Sequence, residues 1–267
     1  MSPASVPTRW LAAAGTVAEI DEDAFIEGAL ILSIGGAQQS HVNLRAPDQV
    51  FYEYLRRIAN VLDLLRPPGE PLKVLHLGAG ALTLVRYVEA TRPGSEQTAV
   101  EFERELLDFV LQYMPLTPGT QCELILDDAR AAVGTMAPES FDAVVLDIFA
   151  GADAPAHLAN SAFYGELLRA VGPDGVVLVN VGDDPPLAFA RHQSRELSSV
   201  AADGAALADR GMFSGKHPGN VVLAATNRDW PAVWTDRLLA AGPHPAAVLT
   251  GMDLEIFQRD AWELGPR

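Results

Sequence analysis

The chain has 267 residues, 49% of them apolar and 20% charged, a globular composition long enough to bury one large core or a large and a small one. A net charge of −16 at pH 7 gives a surface that repels phosphate backbones, so nucleic acid is not an expected partner. The single cysteine, Cys122, excludes an internal disulfide framework and a zinc cluster.

MSPASVPTRW at the start lacks the basic-then-apolar order of a signal peptide, and a cytoplasmic location is expected. TVAEI, AFIEGALILSI and AQQSHVNL follow, β-rich and separated by acidic or Gly-Gly breaks, which predicts a small antiparallel meander. From Gln49 to Leu65 the apolar residues Val50, Tyr54, Ile58, Val61, Leu62 and Leu65 fall at helical spacing. RPPGEP, Arg66 to Pro71, ends that helix and marks a boundary, because paired prolines and a glycine continue neither helix nor strand.

Strand and helix signals then alternate. LKVLHL precedes a helix from Leu82, TAVEF a helix from about Arg104, and CELIL a short one from Ala129. FDAVVLD is followed by a small-residue loop and a helix from Ser161 to Val171. GVVLVNV precedes a helix around Leu187 to Val200, and NVVLAAT one from Pro231. AADGAALADRG, near residue 201, reads only as alanine-rich. The strand runs are continuously apolar and far shorter than a bilayer span, as in a sheet covered on both faces. The expected fold is α/β: a Rossmann-like, doubly wound, mostly parallel sheet behind a small β-rich domain. Residues 1–65 would form the meander and its linking helix, and residues 72–267 the nucleotide-binding catalytic domain.

Ligands of such sheets bind outside the carboxyl ends of the strands. After the first strand stands Gly78-Ala79-Gly80, a turn that lets backbone approach a ligand beside a helix N-terminus. Glu101 ends the second strand, 21 residues past Gly80, where a carboxylate takes both hydroxyls of a ribose. Glu103 reads instead as the start of the next helix. After the third strand, Asp128 and the small Ala129 suit an adenine amino group and a flat ring, and Asp128 equally reads as a helix N-cap. Asp147 ends the fourth strand, where a carboxylate after an apolar run is costly unless it acts, and it is the main candidate for chemistry. A dinucleotide fingerprint would place a third glycine where Thr83 stands, so an adenosine site is expected without a second nucleotide. Six scattered histidines offer no metal site; His76, inside a strand, reads as a satisfied core residue. Asp183-Asp184 before two prolines reads as a helix cap, and Asp21-Glu22-Asp23 as a solvated turn.

GGAQQSHVNL, LHLGAGALTLVRYV, AVEFERELL, DDARAAV and FDAVVLDIF…NSAFYGELLRAVGPDGVVLVNV, in this order over about residues 20 to 227, resemble the spermidine synthase (polyamine aminopropyltransferase) family. That family joins a small N-terminal β-domain to the fold of S-adenosylmethionine methyltransferases. The resemblance implies that Gln39 contacts the nucleoside and that Gly78, Ala79 and Gly80 lie against the sulfonium side chain. It implies further that Glu101 holds the ribose, that Asp128 and Ala129 border the adenine, and that Asp147 orients and deprotonates an amine. It also implies a homodimer. Three departures stand out. Ala81 replaces the aspartate that anchors the ammonium of decarboxylated S-adenosylmethionine, Ala150 replaces a second acidic residue that Asp153 is placed to substitute, and Phe51-Tyr52 replaces a Tyr-Gln pair.

The expectation is a spermidine-synthase-like transferase with an adenosyl-sulfonium donor and no metal. The loss of an acid at Ala81 favours methyl transfer from S-adenosylmethionine to a small acceptor, amines among them, with Asp147 catalytic and Asp153 or Tyr164 assisting. The alternatives are aminopropyl transfer from decarboxylated S-adenosylmethionine and a non-catalytic nucleoside-binding protein.

Overall fold

Residues 6–150 and 154–263 are described by a computed structural model, apart from the side chains at 149–150 and 260–263. Four strands, β1 (Thr8–Leu11), β2 (Thr16–Glu22), β3 (Ala29–Ile34) and β4 (Ala37–Asn43), form an antiparallel meander in chain order. The last three were expected. β1 was not, because four residues with one buried side chain, Leu11, give almost no period to read. Gly35 and Gly36 both have positive φ, 59° and 80°, the backbone that a two-residue hairpin turn demands. The inward side chains Leu11, Ala18, Ile20, Leu32 and Val42 share a core with Val85, Phe109, Val110 and Met114 from the second sheet's helices. The Glu103 carboxylate also accepts from the amides of Ala13 and Ala14, at 2.9 and 3.0 Å. It therefore anchors the β1–β2 turn in place of capping its own helix.

Helix α1 (Glu53–Leu65) begins later than its apolar spacing suggested, because Tyr52 is extended (φ −73°, ψ 130°). Its buried face, Leu55, Ile58, Val61 and Leu62, packs against Val74, Val145, Val176, Val222 and two tryptophans, Trp230 and Trp234. The proline hinge behind it is held by Arg92, whose buried guanidinium donates to the carbonyls of Leu62, Asp63, Arg66, Pro67 and Glu70.

The second sheet starts with β5 (Lys73–Leu77), α2 (Thr83–Thr91), β6 (Glu96–Glu101), α3 (Arg104–Tyr113), β7 (Cys122–Leu126) and α4 (Ala129–Thr135). It continues through β8 (Phe141–Ala150), α5 (Ser161–Ala170), β9 (Val171–Asp183) and α6 (Ala188–Ser198). Next come β10 (Asp203–Asp209), α7 (Arg210–Phe213), β11 (Gly219–Thr226), α8 (Ala232–Ala241), β12 (Ala246–Thr250) and α9 (Gly251–Glu263). The strand order is β12-β10-β11-β9-β8-β5-β6-β7. β5 through β9 pair in parallel, whereas β11, β10 and β12 extend the sheet antiparallel. Leu75, Leu77, Val144 and Val177 bury against α4, α5 and α6; Val74, Val145 and Val176 bury against α1 and α8. Both faces are covered, which is why these strands read as unbroken apolar runs. The alanine-rich stretch proves to be β10, at the centre of the antiparallel half. Its residues are buried on both faces of the sheet, Ala206 and Ala208 on one and Ala205 and Leu207 on the other, but lack the bulky, β-branched signature by which a strand is recognised.

Candidate functional site

The chain leaves β5 toward β6 and β7, and leaves β8 toward β9 on the other side, so the switch point lies between β5 and β8. At their carboxyl ends opens a cavity of about 910 Å³, the size and place in which such sheets take small ligands. Gly78 (φ 88°) and Gly80 (φ 49°) line it. A Cβ on Gly78 would collide with the Asp147 carbonyl oxygen, and one on Gly80 would come within 3.1 Å of Ser40 Oγ. Ser40, from β4, also accepts from the Ala81 amide at 3.3 Å. The N-terminal sheet thus covers the turn and brings Gln39 to the cavity wall.

Glu101 lies opposite that turn. Its Oε2 accepts from the Ala79 amide at 3.1 Å, and its Oε1 from the Glu103 amide at 3.0 Å. Each oxygen keeps a lone pair, so the carboxylate is aimed and still able to accept a pair of vicinal hydroxyls. Asp128 caps α4, accepting from the amides of Arg130 and Ala131 at 3.0 and 3.1 Å, while His157 Nε2 lies 2.8 Å from its Oδ2. Burial opposes ionisation of Asp128, but His157 and these amides overcome it and hold the carboxyl below its usual range. Both Asp128 and Ala129 face the cavity, as does Asp127. The spacing of the chain could not pair His157 with Asp128, since they meet only through tertiary packing.

Asp147 lies deep in the fold and opens partly to the cavity. Asn180 Nδ2 donates to its Oδ1 at 2.8 Å, the Tyr54 hydroxyl approaches its Oδ2 at 3.4 Å, and Asn220 Nδ2 donates to Asn180 Oδ1 at 3.1 Å. Burial raises the carboxyl above its ordinary range, with Asn180 and Tyr54 opposing that shift. A carboxylate that is costly to ionise is the stronger base, and its two donors fix its orientation. Tyr52 stacks near Tyr54, with centroids 6.3 Å apart, and its buried hydroxyl has no hydrogen-bond partner among the described residues. Farther along the wall, Arg57 Nη2 meets Glu53 Oε2 at 3.2 Å and His217 Nε2 meets Asp209 Oδ1 at 3.0 Å. The Pro218 carbonyl, reinforced by Asp209, raises the His217 pKa, and both ring nitrogens face acceptors.

Asn180, Asn220, Asp209 and His217 were not among the expected site residues. Asn180 was hidden inside the apolar run GVVLVNV. Asn220 precedes its strand instead of following it; because β11 runs antiparallel to β9, its beginning sits at the carboxyl edge. Asp209 ends a strand whose alanines concealed it.

Tyr164 is not at the cavity. It is fully buried in the core beneath α5, and its hydroxyl donates to Gln193 at 2.5 Å. It shares the buried face of α5 with Phe163, Leu167 and Leu168, so its ring points to the core, where a phenol needs an internal partner. Asp153 lies outside the described residues. Ala81 is 1% exposed and packs beneath the turn. His76 is buried against Gln97 Oε1 at 3.0 Å, a satisfied core histidine. Asp183 accepts from the Ala190 amide at 2.9 Å, capping α6 past the two prolines. Asp23 is no solvated turn residue, since it accepts from the amides of Phe25 and Ile26 and pairs with buried His41 at 3.0 Å. Among the described residues no group of three or more His, Cys, Asp or Glu is placed to hold a metal ion, and no helix is long and apolar enough to cross a membrane.

No protein-family model matches the chain, and none of the curated proteins does. Solved structures do. A probable spermidine synthase from Corynebacterium glutamicum is 26% identical, with a TM-score of 0.84 over 99% of this chain and 96% of that one. A spermidine synthase in complex with the transition state analogue AdoDATO is 16% identical, with a TM-score of 0.59 over 82% of this chain and 71% of that one. Human methyltransferase-like protein 13 in complex with SAH is 18% identical, with a TM-score of 0.57 over 80% of this chain and 93% of that one. The last two likenesses concern the fold alone. The chain therefore has the Rossmann-like architecture common to spermidine synthases and methyltransferases. Within that class its full-length likeness, N-terminal sheet included, makes it a divergent spermidine-synthase-like protein.

Proposed function

We propose that the chain is a transferase that takes an adenosyl-sulfonium donor and passes a group to a small acceptor. The observation that carries this reading is the position of Asp147. It is a buried, oriented carboxylate on the strand beside the Gly78 turn, in the same cavity as Glu101 and Asp128. The residues suit the donor: the turn leaves no room for a Cβ at Gly78, and Glu101 keeps lone pairs for a ribose. Gln39, Ala79, Gly80 and Ala129 complete the nucleoside walls. When bound, a sulfonium supplies a good leaving group. The protein's task is then to hold the acceptor in line and receive the proton that its nucleophilic nitrogen or oxygen sheds, the role given to Asp147, with Tyr54 and Asn180 keeping it aimed.

Methyl transfer from S-adenosylmethionine is the preferred reaction, because the turn carries the neutral, buried Ala81 and no acid to repel a carboxylate. Aminopropyl transfer from decarboxylated S-adenosylmethionine is the second reading, favoured by Glu53, Asp147 and Asp209 together on the acceptor wall. A homodimer belongs to the same proposal. Incubation with each donor and a panel of amines separates the reactions: S-adenosylhomocysteine supports methyl transfer, and methylthioadenosine formed with a diamine overturns it. Nucleoside binding that depends on Glu101, with a biochemical effect indifferent to Asp147→Asn, would instead make the protein a non-catalytic binder.

A further inference from the structure

The acceptor end of the cavity carries a ring of four charges. Glu53 and Arg57 come from α1, Asp209 from the end of β10, and His217 from the turn before β11. Arg57 Nη2 meets Glu53 Oε2 at 3.2 Å, and its Nη1 donates to the Pro243 carbonyl at 2.9 Å, which fixes an almost fully buried guanidinium. Asp209 Oδ1 accepts from the Gly211 amide at 2.6 Å and faces His217 Nε2 at 3.0 Å. Gly211 makes room for that contact, since a Cβ there would lie 2.7 Å from both atoms.

Both His217 nitrogens face acceptors: Nε2 the Asp209 carboxylate, and Nδ1 the Pro218 carbonyl at 3.0 Å. A neutral imidazole has one N–H and would set a lone pair against one of them, so the geometry suits the imidazolium. The Pro218 carbonyl, then Asp209 and Glu53, raise the His217 pKa accordingly. On α1, burial lowers the Arg57 pKa, and Glu53 and Asp209 oppose that shift. Each cation thus feels both acids, while α7 meets the imidazole through Gly211, which brings no charge. With His217 protonated the ring sums to zero. Glu53 and Asp209 are therefore not vacant acids. Asp147 differs, because its partners are the neutral Asn180 and Tyr54. One unneutralised carboxyl suits one ammonium.

We propose that His217 is a specificity-determining residue that neutralises the acceptor wall and restricts the acceptor to compounds with a single amine. The inference rests on the acceptor reading above and deepens it by naming the acceptor's charge class. A second ammonium would have to displace His217 from Asp209 or sit beside its positive charge. Loss of the imidazolium proton leaves the ring one negative charge in excess and reopens that place.

The test is calorimetric titration of the full chain with 1-aminobutane and 1,4-diaminobutane, from about pH 6 to about pH 9 so as to span histidine ionisation, with and without S-adenosylhomocysteine. The readout is the ratio of the two affinities, because titration of Asp147 acts on the amine that both compounds share and cancels. At the acid end 1-aminobutane should bind at least as tightly as the diamine. Toward the alkaline end the diamine should gain roughly fivefold, as for one partly exposed ion pair. His217→Gln should hold the alkaline ratio at every pH, and His217→Lys, which keeps the charge, should hold the acid one. His217 is half exposed, so both variants should fold, which thermal melting checks. A native ratio that favours the diamine throughout overturns the inference, as does a pH dependence that survives in His217→Gln. Equal ratios in the Gln and Lys variants would assign the effect to lost hydrogen bonds and overturn it too, as would a chain that binds neither amine. Failure of S-adenosylhomocysteine to bind would defeat the donor reading by itself, while the ratio measured without it still decides this one.

Discussion

Asn180 Nδ2 donates to Asp147 Oδ1 at 2.8 Å, joining the carboxyl ends of two neighbouring parallel strands. The bond explains how a buried carboxylate is tolerated there: Asn180 supplies a donor, and Asn220 holds Asn180 by its own amide. Asn180→Ala should cost about 1–3 kcal/mol, the penalty for leaving a buried acceptor short of a donor. It should also raise the carboxyl pKa further and move the acidic limb of any pH–rate profile upward. Chemical denaturation and that profile measure the two effects, and an unmoved profile would remove Asn180 from the network.

Asp147→Asn separates stability from chemistry. Burial raises the Asp147 pKa in the folded state. Between the unfolded and folded pKa values the folded chain holds the extra proton, so this group's contribution to stability declines as pH rises through that window. At neutral pH the asparagine variant is therefore expected to melt at or above the native temperature. Transfer activity should drop on the order of 100-fold or more. A destabilised variant would mean that the carboxylate serves the fold.

Gly78→Ala tests the cradle. Its φ of 88° disfavours any side chain, and the added Cβ meets the Asp147 carbonyl oxygen. A loss of about 1–3 kcal/mol from backbone strain is expected before the clash is counted. Thermal melting and nucleoside titration should fall together.

Glu101→Gln keeps the size of the side chain and its acceptor oxygen toward one of the two amides it now holds, Ala79 and Glu103. Folding should survive. Affinity for an adenosyl ligand should fall roughly tenfold or more, since a charged acceptor to the ribose is lost. Titration with S-adenosylhomocysteine and with methylthioadenosine should register the same loss, because both carry the ribose.

His76 predicts the acid response of the fold. Burial holds its pKa down to about 4, against 6.5 for the free side chain, with Gln97 opposing the shift. The unfolded chain takes up the extra proton first, so stability should fall as pH drops from about 6.5 to about 4, by on the order of 3 kcal/mol. Urea titrations across that range should show the slope, and His76→Gln should flatten it.

Much of the proposed nucleoside wall was legible because the residues that line the cavity there follow strands in sequence. Gly78-Ala79-Gly80 and Asp128 follow parallel strands, Glu101 ends one, and Asp147 stands at a register shift near the end of β8; a parallel sheet delivers all such ends to one edge. Sequence order therefore stood in for spatial order. The same logic failed wherever the sheet turned antiparallel: Asn220 reaches the edge by preceding β11, and Asp209 by ending a strand too alanine-rich to be seen.

What the sequence by itself determined was the α/β alternation, the switch-point site and the residues that follow its parallel strands, because apolar runs, glycine turns and strand-end acids are local features. Only the tertiary structure decided which groups surround Asp147, that Tyr164 faces the core and that His157 meets Asp128. Those are facts about which surfaces meet across the fold, and a buried polar atom shows its partners, or its want of one, only once the chain has packed around it.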